Sequence, residues 1–258
     1  MATGGGDPWR DVAVVVPCFN EARRLDMEAF TGYAGTHAGT GFLFVDDGSS
    51  DGTADLITRA SQEVPGLLRL HRMPENVGKA EAVRAGMLRA MASGARIVGF
   101  LDADLATPVD ELEPMVGLLR ANPELEGVLG SRVRLLGHRI QRDPHRHYLG
   151  RVFATLASLI LDLPVYDTQC GAKLFRATDA LRTALEAPFR SRWIFDVELL
   201  SRLRAARGDR LSEILEEYPL RTWRDVAGSK LRIRDMGRAL VELDRIRRAP
   251  ALPGQAVS

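Results

Sequence analysis

Two aspartates stand one residue apart in the stretch FLDADLATP, Asp102 and Asp104. An apolar run leads into them, and threonine and proline follow. On extended backbone, residues i and i+2 point to the same side, so both carboxylates would face one cleft. Side by side they repel, and each raises the other's pKa unless a cation neutralises them. Hard oxygen donors suit Mg2+ or Mn2+, ions that keep waters and bridge to phosphate oxygens. The chemistry implied is a divalent metal held against a diphosphate. A lone D-x-D is common in surface loops, so its weight comes from where it sits: at the end of an apolar run, among other polar turns.

Those turns recur with a fixed plan. DVAVVVPCFNEARRL is a β-branched run, a proline and a polar loop entering a helix. GFLFVDDGSSDGTADLITRAS repeats it with an Asp-Asp-Gly-Ser turn. LLRLHRMPENVGKAEAVRAGMLRAMASG gives a short strand, a Gly-containing loop and a helix of good formers. ARIVGFLDADLATPVDELEPMVGLLRANP gives the fourth strand and its helix. Strands alternating with helices at this spacing predict a parallel sheet with helices on both faces. The polar residues fall at the carboxyl ends of the strands: Asn20 and Glu21, Asp46 and Asp47, Asn76 and Lys79, Asp102 and Asp104. That edge is where open α/β sheets bind ligands. Asp, Asn and Gly are also ordinary turn formers, but turn preference does not explain two paired carboxylates.

The second half is less regular. VLGSRVR reads as a strand. Residues 131–151 carry six Arg and three His against one Asp. An apolar helix follows, then VYDTQCGAKLFR as a loop. RSRWIFDVELLSRLRAARG reads as a helix opening with Asp196 and Glu198, LSEILEEYPLRTW as a late strand, and SKLRIRDMGRALVELDRIRR as a basic amphipathic helix. Asp196 at a helix start suits the helix dipole as well as chemistry. Glu198 reads as structural, Trp193 as core, and Cys170 as a small buried residue, since no base partner for it is evident. No repeat or linker forces a domain boundary. The expected organisation is a flexible leader (1–10), one α/β domain (11–248, with halves 11–130 and 131–248) and a flexible tail (249–258).

The chain has 258 residues, 45% hydrophobic and 27% charged, with a net charge of +1. This gives no case for nucleic-acid binding. Cys18 and Cys170 form no metal-type pair, and a reduced, cytoplasmic setting is expected. No apolar stretch reaches the roughly 18 residues of a membrane span, and the first residues have no signal-peptide pattern. The apolar helix near 152–163 and the basic helix near 230–248 could form a peripheral membrane-surface patch, or could equally be packed core and solvent face. Oligomeric state is not set by any of this.

The motifs VVVPCFNE, FVDDGSSDGT, NVGKAEAVRAG, FLDADLATP, GSR, DTQCGAKLFR, RWIFDVELL and GSKL, in that order across about residues 10–248, resemble the family 2 glycosyltransferases of the GT-A fold. The later motifs resemble the dolichyl-phosphate β-glucosyltransferase branch. The resemblance implies a single-domain, Rossmann-like, mostly parallel sheet and a UDP-sugar donor. It places Pro17, Asn20 and Glu21 against the nucleoside, Asp47 on the uracil N3–H, Lys79 at the base or diphosphate, Asp102 at the ribose and Asp104 on the metal. Inversion at the anomeric carbon is implied, with glucose as the sugar. A hydroxyl acceptor would need a general base, and Asp196 is the candidate. A phosphate acceptor would need cations instead, and Arg132, Lys173, Arg176, Arg192 and Lys230 are candidates, with residues 131–151 as a mobile cover.

The sequence departs from the family pattern at Ala80, where a second glycine is frequent. It also shows no counterpart of the N-terminal membrane anchor of the eukaryotic members. Three functions stay open: sugar transfer to a polyprenyl phosphate, the same donor chemistry on a soluble acceptor, and a non-catalytic nucleotide-sugar-binding module. Intact Asp102, Asp104 and Asp196 argue against the last. No Gly-rich, Arg- and Lys-containing N-terminal loop supports a sugar-1-phosphate nucleotidyltransferase.

Overall fold

A computed structural model of the chain describes Trp9 and residues 11–141, 144–226 and 241–246, with side chains in 144–161 described from Arg151 onward. The first half follows the repeated plan. Strands β1 (Val12–Cys18), β2 (Thr40–Asp46), β3 (Leu68–Arg72) and β4 (Ile97–Leu101) alternate with helices α1 (Met27–Thr36), α2 (Thr53–Glu63) and α3 (Lys79–Ala92). Helix α4 (Leu112–Ala121) follows β4 through a short 3-10 turn, and β5 (Gly127–Ser131) ends this region.

Parallel register aligns Cys18 with Asp46 and Asp46 with Arg72. The strand ends, and the polar turns after them, therefore lie along one edge. Alternate residues of β1 serve opposite faces, as the strand period requires. Val12, Val14 and Val16 pack with Phe30 of α1, Ile57 of α2 and Met115 of α4. Ala13 and Val15 pack with Val83 and Met87 of α3. Burial on both faces explains why these strands are apolar throughout rather than alternating.

The second half adds β6 (Arg139–Gln141), α5 (Pro144–Leu161), β7 (Ala172–Arg176), α6 (Asp179–Glu186), α7 (Phe195–Arg207), α8 (Leu211–Ile214), β8 (Leu215–Pro219) and β9 (Thr222–Arg224). The seven-stranded sheet has the order β3-β2-β1-β4-β7-β5-β8. Strand β7 runs antiparallel to both β4 and β5, while β8 is parallel to β5. Two short strands, β6 and β9, form a separate parallel pair.

Several expectations change here. VYDTQCGAKLFR is not all loop, because its last five residues form β7 at the centre of the sheet. LSEILEEYPLRTW is not one strand; it divides into α8, β8 and β9. The basic segment 131–151 is no simple cover, since it contains β6 and the start of α5. Trp9, placed in a flexible leader, is 1% exposed. Its indole N–H donates to the Gly66 carbonyl at 2.7 Å, and the Arg69 guanidinium sits 4.5 Å over the ring. Of the basic C-terminal helix, 241–246 are described and helical, with Leu243 and Ile246 buried and Val241 exposed. Among the described residues no helix is long and apolar enough to cross a membrane.

Candidate active site

Each polar turn on the carboxyl edge is tied to the next. From the first turn, Asn20 sits at φ 55° and its side-chain oxygen accepts from the Ser50 N–H at 3.0 Å. The Asn20 N–H donates to Ser49 Oγ at 2.9 Å and the Glu21 N–H to Thr53 Oγ1 at 2.8 Å. The Glu21 carboxylate pairs with Arg24 at 2.6 and 2.9 Å. Pro17 is the penultimate residue of β1 and pairs with Val45.

From the second turn, Asp47 reaches the third. It is 2% exposed, and its two oxygens accept from the Val77 and Gly78 N–H groups, both at 2.8 Å. Gly48 lets these turns close: it has φ 70°, and a Cβ there would lie 2.7 Å from the Glu75 carbonyl carbon. Asp46 is fully buried, with Oδ1 accepting from the Ser49 N–H and Oδ2 3.4 Å from Arg72 Nε.

From the third turn, Lys79 opens α3 and reaches the fourth, with Nζ 2.6 Å from Asp102 Oδ1. Burial weighs against the Lys79 charge, but Asp102, Asp196 and Asp104 together raise its pKa above the usual lysine value. Asp102 and Asp104 are both half-buried. Asp104 Oδ1 accepts from the Ala106 N–H at 3.1 Å. Burial first, then the Asp102 charge, raise the Asp104 pKa; Lys79 and Arg24 act against them. Asp104 thus carries the raised pKa expected of a crowded carboxylate, although the two aspartates lie in the turn after β4 and not on extended strand.

The opposite wall is built by the second half. The Asp102 N–H donates to the Gly171 carbonyl at 2.9 Å, and any side chain at Gly171 would overlap the Asp102 carboxylate. Asp196 lies in the first turn of α7 and is 6% exposed. Burial raises its pKa, with Lys173 and Lys79 lowering it in opposition. Lys173 Nζ lies 3.1 Å from Asp196 Oδ1.

Of the cations proposed for an acceptor, three are already engaged. Arg132 makes a two-pronged pair with Asp167 at 2.6 and 2.7 Å and lies 5.3 Å from the Trp223 ring. Lys173 is fully buried between Asp196 and the Cys170 carbonyl. Arg176 is a correction. It pairs with Ile97, the first residue of β4, at the opposite edge of the sheet. There its guanidinium donates to the carbonyls of Leu119, Asn122 and Leu125 at the end of α4. Arg192 is exposed, its side chain beside Gly78. Lys230 lies outside the described residues.

Two contributors had no assigned role in the sequence reading. Asp167 orders Arg132, and Glu217 on β8 accepts from the Tyr166 and Asp167 N–H groups at 2.7 and 2.9 Å. Asp167 was visible only as part of a motif, and Glu217 gave no signal. Trp193 is 42% exposed rather than core. Glu198 is structural as expected: it accepts from the Arg190 and Ser191 N–H groups and pairs with Arg202 at 2.8 Å. Cys170 is fully buried, and burial pushes its thiol up.

Comparison with known proteins shows the family. The model of "Glycosyl transferase family 2" matches residues 13–181. Dolichyl-phosphate beta-glucosyltransferase ALG5C of Trichomonas vaginalis is 32% identical over 244 residues, covering 90% of this chain and 69% of that protein. Dolichyl-phosphate beta-glucosyltransferase of Drosophila melanogaster is 35% identical over 240 residues, covering 87% and 70%. Among solved structures, glucosyl-3-phosphoglycerate synthase of Mycobacterium tuberculosis, in complex with Mn2+ and UDP-glucose, superposes with a TM-score of 0.65 at 22% identity, covering 92% of this chain and 79% of that one. Because the family match spans well over half the chain and these relatives align across most of the remainder, the protein is a family 2 glycosyltransferase of the GT-A fold.

Proposed function

We propose that this glycosyltransferase moves glucose from UDP-glucose to a polyprenyl phosphate of the dolichyl type, inverting the anomeric carbon with a divalent metal at Asp104. The observation that carries the reading is Lys79. It contacts Asp102 directly, and Asp104 and Asp196 both act on its charge. One cation thus joins the strand-end carboxylates to the carboxylate of the facing helix, as a cleft that brings donor and acceptor together requires. The dolichyl phosphate acceptor is taken from the names of the relatives.

The donor set fits a hard divalent ion. Asp102 and Asp104 offer only carboxylate oxygens, and the raised Asp104 pKa is relieved by a cation. Among the described residues no group of three metal-ligating side chains occurs, so waters and the diphosphate would complete the shell. When bound, such an ion stabilises the charge developing on the departing UDP. Pro17, Asn20, Glu21 and Asp47 would hold the nucleoside.

In the transfer, an acceptor oxygen forms the new bond to the anomeric carbon as the bond to UDP breaks, and its electron pair leaves with UDP. A phosphate acceptor arrives ionised, so no proton need be removed. A hydroxyl acceptor would give its proton to Asp196, whose raised pKa suits a base. Contact with a lipid surface is part of the proposal. Helix α5 buries Phe153, Ala154, Ala157 and Leu161 but exposes Val152 and Leu159, which supports it.

The test is to incubate the protein with radiolabelled UDP-glucose, Mn2+ and a short polyprenyl phosphate, then count label in the organic phase. Label there, with a β-linked product by NMR, is the expected result. UDP release without organic-phase label would move the acceptor to a soluble molecule. Neither label nor UDP release would overturn the donor.

A further inference from the structure

Lys173 is the second residue of β7, opposite Phe100 of β4 and Leu129 of β5, with no exposed surface. Its neighbours Ala172, Leu174 and Phe175 are apolar and buried. A lysine in such a place loses several kcal/mol of hydration, which only a well-placed partner offsets. The ammonium has two partners. It donates to the Cys170 carbonyl at 2.5 Å and lies 3.1 Å from Asp196 Oδ1. Its stem runs beside Phe100, with Nζ 5.3 Å from the ring centroid.

Anchoring α7 does not require this pair. The Trp193 and Ile194 N–H groups donate to Ser191 Oγ, and Glu198 holds the loop before the helix through the Arg190 and Ser191 N–H groups. Arg202 ties α7 to α6 and the loop after it by donating to the carbonyls of Ala184, Ala187 and Pro188. What Lys173 adds is a fixed hold on one oxygen of Asp196.

We propose that Lys173 is the positioning residue of the acceptor side: its buried ammonium, 3.1 Å from Asp196 Oδ1, holds that oxygen from beneath, so that the other oxygen is presented to the incoming acceptor. This rests on reading Asp196 as the acceptor-side carboxylate. Lys79, which reaches Asp102, acts on Asp196 from α3, so two lysines on different elements bracket one carboxylate. Lys79 is partly exposed at the carboxyl edge of the sheet, whereas Lys173 is fully buried within it. Fixed geometry is what near-attack positioning demands.

The test uses K173M, K173Q, D196N and the K173M/D196N double variant, with UDP release and acceptor transfer measured as kcat and KM. K173M is expected to lower kcat by about 10- to 100-fold, with donor KM unchanged. Adding K173M to D196N should cost nothing further, because a residue acting through another has no effect once that one is removed. K173Q keeps a donor for the Cys170 carbonyl without the charge, and serves if K173M does not fold. An unchanged kcat in folded K173M or K173Q would overturn the proposal. So would a fully additive double variant, or failure of both single variants to fold. If D196N transferred normally to a phosphate and to a hydroxyl acceptor alike, the underlying reading of Asp196 would fall instead.

Discussion

The two walls of the cleft handle charge in opposite ways. On the donor side, Asp102 and Asp104 are half-buried and crowd each other, and Asp104 is pushed up by burial and by its neighbour. On the acceptor side, charges are neutralised inside the protein: Arg132 by Asp167, Lys173 by Asp196. Lys79 pairs Asp102 at 2.6 Å but leaves Asp104 with its raised pKa, which a bound cation would relieve, while the two acceptor-wall pairs are closed internally. A phosphate-bearing acceptor must then find its cations elsewhere. Of the four described candidates, Arg192 is the exposed one. The balance also explains why residue type alone misleads: Arg132, Lys173 and Arg176 are held by partners within the protein.

The largest test of this contrast is Asp104→Asn. Turnover should fall by about 10^3-fold or more, as removal of a major electrostatic stabiliser predicts. Its raised folded-state pKa means that the ionised carboxylate opposes folding at neutral pH, an opposition that disappears as pH drops below the folded value. The metal-free variant should therefore melt no lower than the parent, as thermal denaturation would show. Next comes Asp196→Asn, expected to lose about 10^2- to 10^4-fold in transfer to a hydroxyl acceptor, with UDP affinity retained by calorimetry. Retained transfer to a phosphate acceptor alongside lost transfer to a hydroxyl would assign the acceptor class.

Arg132→Met probes the internal balance directly. Removing the guanidinium from the Asp167 carboxylate breaks a buried ion pair and should cost about 3–5 kcal/mol of stability, read by urea unfolding. Arg176→Met should cost about 1–3 kcal/mol, through carbonyls left unpaired at the end of α4, and leave kcat unchanged. A kcat defect there would mean that the two edges of the sheet are coupled. The smallest effect is expected for Arg192→Gln: about a tenfold rise in KM for a phosphate acceptor, roughly 1.4 kcal/mol, with donor KM constant.

The donor wall was legible because each polar group follows its own strand within a repeated strand-turn-helix unit, so periodicity and turn chemistry locate it without tertiary knowledge. Asp102 and Asp104 stood out as a pair after an apolar run, but they lie in the turn after β4, where the Leu105 N–H donates to the Asp102 carbonyl, and not on extended backbone whose alternate residues share a side. The acceptor wall depends on partners that no local pattern names. Glu217 lies on β8 and acts on Tyr166 and Asp167 across 51 and 50 residues. Lys173 and Arg176 share one short strand, yet they serve opposite edges of the sheet. β7 itself was missed because DTQCG reads as turn chemistry and the five residues that follow contain Lys and Arg. The pairings that bury Lys173 become visible only with the sheet order.

That sheet order has a consequence for how the molecule comes into being. β5 and β8 join β4 only through β7, which arrives more than 40 residues after β5 along the chain. During synthesis the first strands can zip together in sequence, but the ladder must then wait with a gap at its centre until residues 172–176 emerge. Pairings of such long sequence separation form slowly. A chain ending before β7 would therefore present the open flank of β4 as a bare edge, a template for association with other chains.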